Sequence, residues 1–391
     1  MTDGLRDGLR EGERERLREG LREGFRDGEN SIEQPRNCQH EIVPSNWREY
    51  GLSTLRNCGA SCYLNSGFQC LAHTMPLTEY FLRDTYRKDC HQCKTPEHRR
   101  HALVLDHYVQ LLKGFWNGNW VITPRSFIQM MEDCVPHLNP YCQEDSSECV
   151  VFLLDCFHES LSYPARYSIN PNPKSRADRQ MIMAFGSLQK HYRETYSRIL
   201  KLFGGQYHSR TQCINRTCRI INHSYHPFIF IEIPMSSTLR GCFERLCRTE
   251  ALDHNNGYRC EHCAQTTQAL QKLTFWRLPP ILVITLKRFE TNQHGSPQKN
   301  LSNVKLPMTN LDLSEFMSGP QPISPVNYQL YAVNCHVGYL SGGHYYSFCH
   351  HLDRWWKFDD HNKAIVSSHM VQKQIMTDGY MLFYRRSDLV W

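Results

Sequence analysis

The stretch Leu55-Arg-Asn-Cys-Gly-Ala-Ser-Cys-Tyr-Leu-Asn-Ser66 puts glycine and small residues just ahead of Cys62 and an apolar-periodic segment just behind it. It reads as a tight turn that delivers Cys62 to a helix N-terminus. Backbone N–H groups left unpaired there, together with the helix dipole, stabilise a thiolate, and the same groups can hold an oxyanion. Most cysteines followed by an apolar helix are simply buried apolar residues. What the rest of the chain supplies decides between the two readings.

Working outward, apolar positions at helical spacing run through 62–85, beginning with Leu64, Phe68 and Leu71. They return over 145–160 with Cys149, Phe152, Leu153 and Cys156 at i, i+3, i+4 and i+7. Residues 165–180, rich in Asn, Pro and Ser, read as a loop. From 225 onward the pattern turns to strands: one from His226 through Ile233, one from Ile281 to Phe289, one from Tyr328 to Val337, and one over Tyr380–Tyr384. Helices first and antiparallel-looking strands later predict an α+β protein, not an alternating parallel sheet.

A second stretch, His336-Val-Gly-Tyr-Leu-Ser-Gly-Gly-His-Tyr-Tyr346, is followed by Trp355-Trp-Lys-Phe-Asp-Asp360. A histidine after a Gly-Gly pair sits where backbone can approach a ligand closely. Two strands joined by a turn place Asp359 beside His344, where a carboxylate fixes the tautomer and orientation of an imidazole. Alone, the stretch reads rather as a strand histidine with exposed acidic turn residues. With Cys62 it gives the order Cys, His, Asp, a papain-like constellation assembled only by the fold. The aromatic residues Tyr345, Tyr346, Trp355 and Trp356 are expected to pack the sheet first and to line a substrate wall second.

Cys213-x4-Cys218 and Cys260-x2-Cys263 form two close pairs of soft ligands separated by 41 residues, a pattern that suits tetrahedral zinc in a structural role. Cys90, Cys93, His98 and His101 offer a weaker second set, with a very short loop between the pairs. Cys58, four residues before Cys62, is expected to pack inside the turn.

Composition bounds the rest. In 391 residues, 40% are hydrophobic and 21% charged, which sustains a buried core and excludes wholesale disorder. The net charge of +6, from 45 basic and 39 acidic residues, is too mild for a nucleic-acid surface. Eighteen cysteines would suit a secreted disulfide scaffold. The opening MTDGLRDGLREGERERLREG has no apolar targeting core, however, and no run approaches the roughly 18 apolar residues of a membrane span. The expectation is a reduced, cytoplasmic or nuclear protein with no membrane contact. Residues 1–30 repeat Gly-Leu-Arg-Asp/Glu with Leu5, Leu9, Leu17, Leu21 and Phe25 in one phase. A period of four drifts around a 3.6-residue helix, so a solvated tail is expected there, with a partner-docking helix as the alternative.

Together these stretches resemble the ubiquitin-specific protease family of cysteine deubiquitinases. The segment around Cys62 is similar to the family's Cys box. Gly-Gly-His344-Tyr, Trp356-Lys-Phe-Asp-Asp360 and Gly379-Tyr-Met-Leu-Phe-Tyr384 are similar to its His box. Gln143-Glu-Asp-Ser-Ser-Glu148, Leu202-Phe-Gly-Gly-Gln206 and Leu278-Pro-Pro-Ile-Leu-Val-Ile-Thr-Leu-Lys-Arg-Phe289 match further family segments in the same order. The resemblance runs from about residue 50 to 387.

The resemblance implies a papain-like core of thumb, palm and zinc-bearing fingers over 49–388, the fingers at about 207–275. A tail over 1–30 and a linker over 31–48 precede it. Cys62 matches the nucleophile, His344 the general base and Asp359 the residue that orients it. Asn57 matches a contributor to the oxyanion hole, and Asp360 a second acidic position. Gln143 and Asp145 match positions near the ubiquitin tail, and Gly342, Gly343 and Tyr345 flank the same channel. Cys213, Cys218, Cys260 and Cys263 match the zinc ligands. No organic cofactor is implied, and the partners expected are ubiquitin and ubiquitinated proteins, engaged by a monomer. Three departures stand out: Thr54 in place of a glycine, Phe348 in place of a tyrosine, and two extra residues within the first cysteine pair. The expected reaction is hydrolysis after the C-terminal glycine of ubiquitin. The alternatives are an inactive ubiquitin-binding module and a protease for another ubiquitin-like modifier.

Overall fold

The structure is a computed structural model. It describes residues 46–90, 95–135, 144–165, 173–193, 195–252, 257–291, 297–320, 326–339 and 342–388. The repeat over 1–30, most of the linker expected over 31–48, Gln143 and Cys93 lie outside the described residues. None of the described helices is long and apolar enough to cross a membrane.

The first half is mainly helical: β1 (Thr54–Leu55), α1 (Cys62–Ala72), α2 (Met75–Leu82), α3 (Pro96–Trp116), β2 (Val121–Ile122), α4 (Arg125–Cys134), α5 (Ser146–Ser160), α6 (Arg176–Tyr192) and α7 (Arg198–Phe203). Strands then take over: β3 (Gly205–Cys213), β4 (Ile221–Phe228), β5 (Ile231–Ile233), α8 (Leu239–Leu246), β6 (Thr249–Leu252), β7 (Tyr258–Cys260), β8 (Gln265–Thr267) and β9 (Ala269–Arg277). The chain ends with β10 (Ile281–Leu286), β11 (Phe289–Thr291), β12 (Pro297–Lys299), β13 (Leu311–Asp312), β14 (Asn327–Tyr339), β15 (Gly342–His351), β16 (Arg354–Asp359), β17 (Asn362–Val366), α9 (Ser368–Asp378) and β18 (Gly379–Arg386). The α+β order read from the sequence is the one observed.

The main sheet runs β17-β16-β15-β14-β18-β10-β5, antiparallel except for the β10–β5 pair. Helix α1 is buried along its whole length. Gly67 lets it approach α5 closely, since a Cβ there would stand 2.9 Å from Val150 Cγ2. Three polar side chains fix the helix against both neighbours. Ser146 Oγ donates to Tyr63 O at 2.7 Å, and Asn334 Nδ2 on β14 donates to Ser66 Oγ and to Ser146 Oγ at 3.1 and 2.6 Å. Satisfied buried hydrogen bonds of this kind specify one register, because slipping would leave each group unpaired at about 1–3 kcal/mol.

Four local readings are corrected. The helical run expected over 62–85 is two helices. Thr74 Oγ1 turns back to Cys70 O, and Pro76 opens the second helix where its missing N–H costs nothing. Residues 176–180, read as loop, begin α6. Ser175 and Asp178 form a reciprocal cap there, a local signal masked by the polar composition. The strand expected from His226 through Ile233 is two strands. Chain up to Phe228 pairs with β3, whereas Ile231–Ile233 pairs with β10 in the main sheet. The strand expected to reach Phe289 stops at Leu286. The fully buried Arg288 leaves the ladder and donates to the carbonyls of Gly379, Asn300, Ser302 and Met376.

A candidate cysteine-histidine-aspartate active site

Cys62 is the first residue of α1 and is 1% exposed. The loop before it is held from inside. Asn57 Oδ1 accepts from Ser61 N at 3.1 Å and from Ser61 Oγ at 3.3 Å, and Cys58 N donates to Ser61 Oγ at 3.0 Å. Gly59 sits at φ +115°, a conformation open to glycine and strained for other residues. The sequence Asn57-Cys-Gly-Ala-Ser61 thus wraps the N-terminus of α1, where the first N–H groups have no carbonyl partner within the helix. Cys58 is half-buried in this turn, its Sγ against Arg56 O at 3.7 Å.

His344 and Asp359 lie on adjacent antiparallel strands. Leu352 and Asp353, at φ +50° and +56°, make the two-residue turn that joins β15 to β16, a geometry whose twist suits a hairpin. The turn pairs His351 with Arg354 and Ser347 with Phe358. Continued one residue further, this register sets Asp359 across from Tyr346 and diagonal to His344, on one face of the sheet. His344 Nε2 donates to Asp359 Oδ1 at 2.6 Å, which leaves Nδ1 for Cys62. Hydrogen bonds to Asp359 and then to Cys62 raise the His344 pKa to about 10, against the opposing effect of burial. The same contact, aided by Lys357, draws Asp359 down to about 2.

Asp360, at φ +50° in the next turn, holds the two halves of the site together. Its Oδ2 accepts from Asn57 Nδ2 at 2.9 Å and its Oδ1 from Asn65 Nδ2 at 2.8 Å. Leu55 N donates to Asp360 O at 3.2 Å, and Thr54 Oγ1 to His361 O at 3.1 Å. The threonine that departs from the family glycine therefore helps to hold this turn. His344, Asp359 and Asp360 lie within 4.8 Å of one another, but the carboxylate oxygens described here already accept hydrogen bonds from the protein.

The remaining residues expected at the site divide. Gly342 is exposed, with nothing near its missing Cβ. At Gly343 a Cβ would meet His336 Nε2 at 2.2 Å and Val337 O at 2.5 Å, so its small size serves strand packing. Tyr345, expected against substrate, lies on the face of β15 opposite His344. It is buried, its ring 4.5 Å from His336 and 6.3 Å from Tyr380. Tyr346 and Trp355 are buried too and Trp356 is half-buried, so sheet packing comes first for this aromatic group. Phe348 is fully buried. Asp145 is half-buried and caps α5 through Ser147 N at 2.6 Å, while its Oδ2 accepts from Tyr380 OH at 2.6 Å. Sequence reasoning did not single out Lys357 or Asn65. Lys357 lies two strand residues before Asp359 and Asn65 one helical turn after Cys62, and in each case that spacing was the available signal.

The sulfurs of Cys213, Cys218, Cys260 and Cys263 lie within 4.8 Å of one another. Cys213 and Cys263 are 4.0 Å apart, and Cys218 and Cys260 are 3.7 Å apart. An ion bound tetrahedrally at about 2.3 Å from each sulfur needs them about 3.8 Å apart, so the donor set fits a metal. The Thr267 hydroxyl, 3.4 Å from Cys213 Sγ, holds that thiol down at about 7. The two extra residues of the first pair are absorbed in a turn with Arg219 at φ +48° and displace no ligand. For the second set read from the sequence, His98 Nε2 lies 3.6 Å from Glu159 Oε2 and Cys93 is outside the described residues.

The family model described as ubiquitin carboxyl-terminal hydrolase matches residues 53–384. Ubiquitin carboxyl-terminal hydrolase 2 of Homo sapiens is 30% identical over 350 residues, covering 85% of this chain and 55% of that protein. Ubiquitin carboxyl-terminal hydrolase 21 of Rattus norvegicus is 29% identical over 360 residues, covering 85% and 61%. The chain thus spans a little over half the length of these curated relatives. Among solved structures, a chain of the SAGA DUB module Ubp8/Sgf11/Sus1/Sgf73 bound to monoubiquitin superposes with a TM-score of 0.68 at 22% identity, covering 98% of this chain and 77% of that one. The same module bound to ubiquitin aldehyde gives 0.67 at 21% identity.

Proposed function

The chain belongs to the ubiquitin carboxyl-terminal hydrolase family, and on that footing we propose that it is a thiol-dependent deubiquitinase that cleaves the isopeptide or peptide bond after the C-terminal glycine of ubiquitin. The observation that carries this reading is the hydrogen-bonded line from Asp359 through His344 to Cys62 at a helix N-terminus. The monoubiquitin and ubiquitin aldehyde held by the similar structures support ubiquitin as the substrate.

In the proposed reaction His344 holds the Cys62 proton as an imidazolium, and the thiolate attacks the carbonyl of the terminal glycine. The developing oxyanion lies at the N-terminus of α1. Asn57 Nδ2 carries two protons, and the bond to Asp360 uses one, which leaves the second for the oxyanion. Collapse of the tetrahedral adduct expels the lysine amine, which takes the proton from His344 and leaves a thioester on Cys62. Water, deprotonated by His344, then attacks the thioester and releases ubiquitin and the Cys62 thiolate. Gly342 and Asp145 are proposed to face the glycine-rich tail, and Gln143 is proposed beside them. Zinc held by Cys213, Cys218, Cys260 and Cys263 would brace the fingers as a structural ion and takes no part in the bond cleavage.

The test is time-resolved hydrolysis of a fluorogenic C-terminal amide of ubiquitin by wild type and by Cys62→Ala. Turnover that disappears in the mutant is the expected result. Binding of ubiquitin by folded wild type without turnover would replace this reading with an inactive binding module. Turnover of a different ubiquitin-like modifier alone would replace the substrate.

A further inference from the structure

Lys357 lies beside the triad with its ammonium fixed on two sides. Its Nζ is 2.9 Å from Asp359 Oδ2, the carboxylate oxygen that His344 does not use. The same Nζ stands 4.3 Å from the centroid of the Tyr346 ring, within the range of a cation–π contact. Tyr346 is in turn anchored, its hydroxyl donating to Asp378 Oδ2 at the C-terminus of α9 at 2.7 Å. Strand register explains the assembly. Lys357 pairs with Phe348, so Lys357, Asp359, His344 and Tyr346 share one face of the β15–β16 ladder.

We propose that Lys357 is a positioning residue of the active site: clamped between the Tyr346 ring and Asp359, it fixes the plane of the Asp359 carboxylate so that Oδ1 stays on His344. A carboxylate on a strand end is free to rotate about its last torsion. Donors on opposite oxygens remove that freedom. The groups around the pair are His344 and Tyr346 from β15 and Cys335 from β14; Cys62 from α1 faces His344, and Asp378 from α9 holds Tyr346. The direct charge effect of Lys357 on the imidazole is screened, because the Lys357 and Asp359 side chains remain 30% and 33% exposed. Orientation is therefore the larger contribution.

The two contributions have opposite signs, which makes them separable. Losing the positioning weakens the His344–Asp359 bond and lowers the imidazole pKa. Losing only a nearby cation raises it. The proposal rests on the deubiquitinase reading for its kinetics but not for its titration. The experiment follows the His344 Cε1–H resonance against pH in wild type, Lys357→Met and Lys357→Arg, with no substrate present, and then measures kcat and KM on the ubiquitin amide. The expected result for Lys357→Met is a lower titration midpoint and a kcat reduced about ten- to a hundredfold at unchanged KM. Lys357→Arg, which keeps a donor and a charge, should recover most of both. A midpoint that rises or stays in place in a folded Lys357→Met overturns the proposal. A wild type that turns over no ubiquitin sinks the functional reading and leaves the titration readable.

Discussion

His344 Nε2 and Asp359 Oδ1 are 2.6 Å apart across a hairpin whose two-residue turn lies eight residues beyond His344. The contact sets the charge state of the whole site. The imidazole, ordinarily near 6.5, is raised to about 10, and the carboxylate, ordinarily near 3.8, is lowered to about 2.

The signs follow from these directions. His344 prefers its proton more in the folded state, so its contribution to stability is full below 6.5 and is lost as pH rises through about 10. Asp359 prefers to be ionised, so its contribution is present above 3.8 and is lost as pH falls through about 2. Both side chains are about one third exposed, which keeps the stability effect small. The effect on chemistry is larger. kcat/KM on the ubiquitin amide should hold from neutral pH into the alkaline range and decline as His344 deprotonates near 10. Asp359→Asn should lower the imidazole pKa toward 6.5 and reduce kcat by about 10²- to 10⁴-fold. An unchanged alkaline limb in that variant would refute the pairing as its cause.

Asp360 links Asn57 to Asn65, one residue before the nucleophile helix and one within it. Asn65→Ala removes the donor on Asp360 Oδ1 at a site where Asn65 is 3% exposed. It should cost about 1–3 kcal/mol in a urea titration. It should also slow turnover, since Asp360 then holds Asn57 less firmly. Asn65→Asp, which sets a second carboxylate against Asp360, should be worse on both counts. A variant with wild-type stability and kcat would remove this clamp from the mechanism.

The sulfur cluster yields a metal prediction. The purified chain should carry about one zinc, read by atomic absorption, and Cys213→Ser with Cys260→Ser should carry none. Chelation should lower the melting temperature and loosen β3, β7 and β9 in hydrogen exchange, because the closed loops lose their cross-link. An unaltered melting curve after verified zinc loss would show that the fingers stand without it.

Much of this site was legible in the chain because its signals are local. Cys62 follows a glycine turn and opens an apolar-periodic helix, and each cysteine pair is close in sequence. His344 and Asp359 are fifteen residues apart, the reach of one hairpin. What escaped the reading depends on partners distant in sequence. Arg288 ends a strand only because four carbonyls from three other segments surround it. The chain changes sheets after Phe228 because β3 and β10 each offer an edge to an apolar run that suits either.

The two glycines before His344 give the last prediction, because the structure assigns them different tasks. A Cβ on Gly343 would overlap His336 Nε2 at 2.2 Å and the Val337 carbonyl at 2.5 Å, and backbone cannot yield as a side-chain tip does. Gly343→Ala should therefore destabilise the fold by about 1–3 kcal/mol and displace β15 with its histidine. Gly342 meets nothing within 4 Å, so Gly342→Ala should melt like wild type. If the tail of ubiquitin passes over Gly342, that variant should raise KM for the ubiquitin amide without altering the His344 titration. Equal melting temperatures for the two variants would refute the packing role of Gly343. An unchanged KM in a stable Gly342→Ala would move the tail elsewhere.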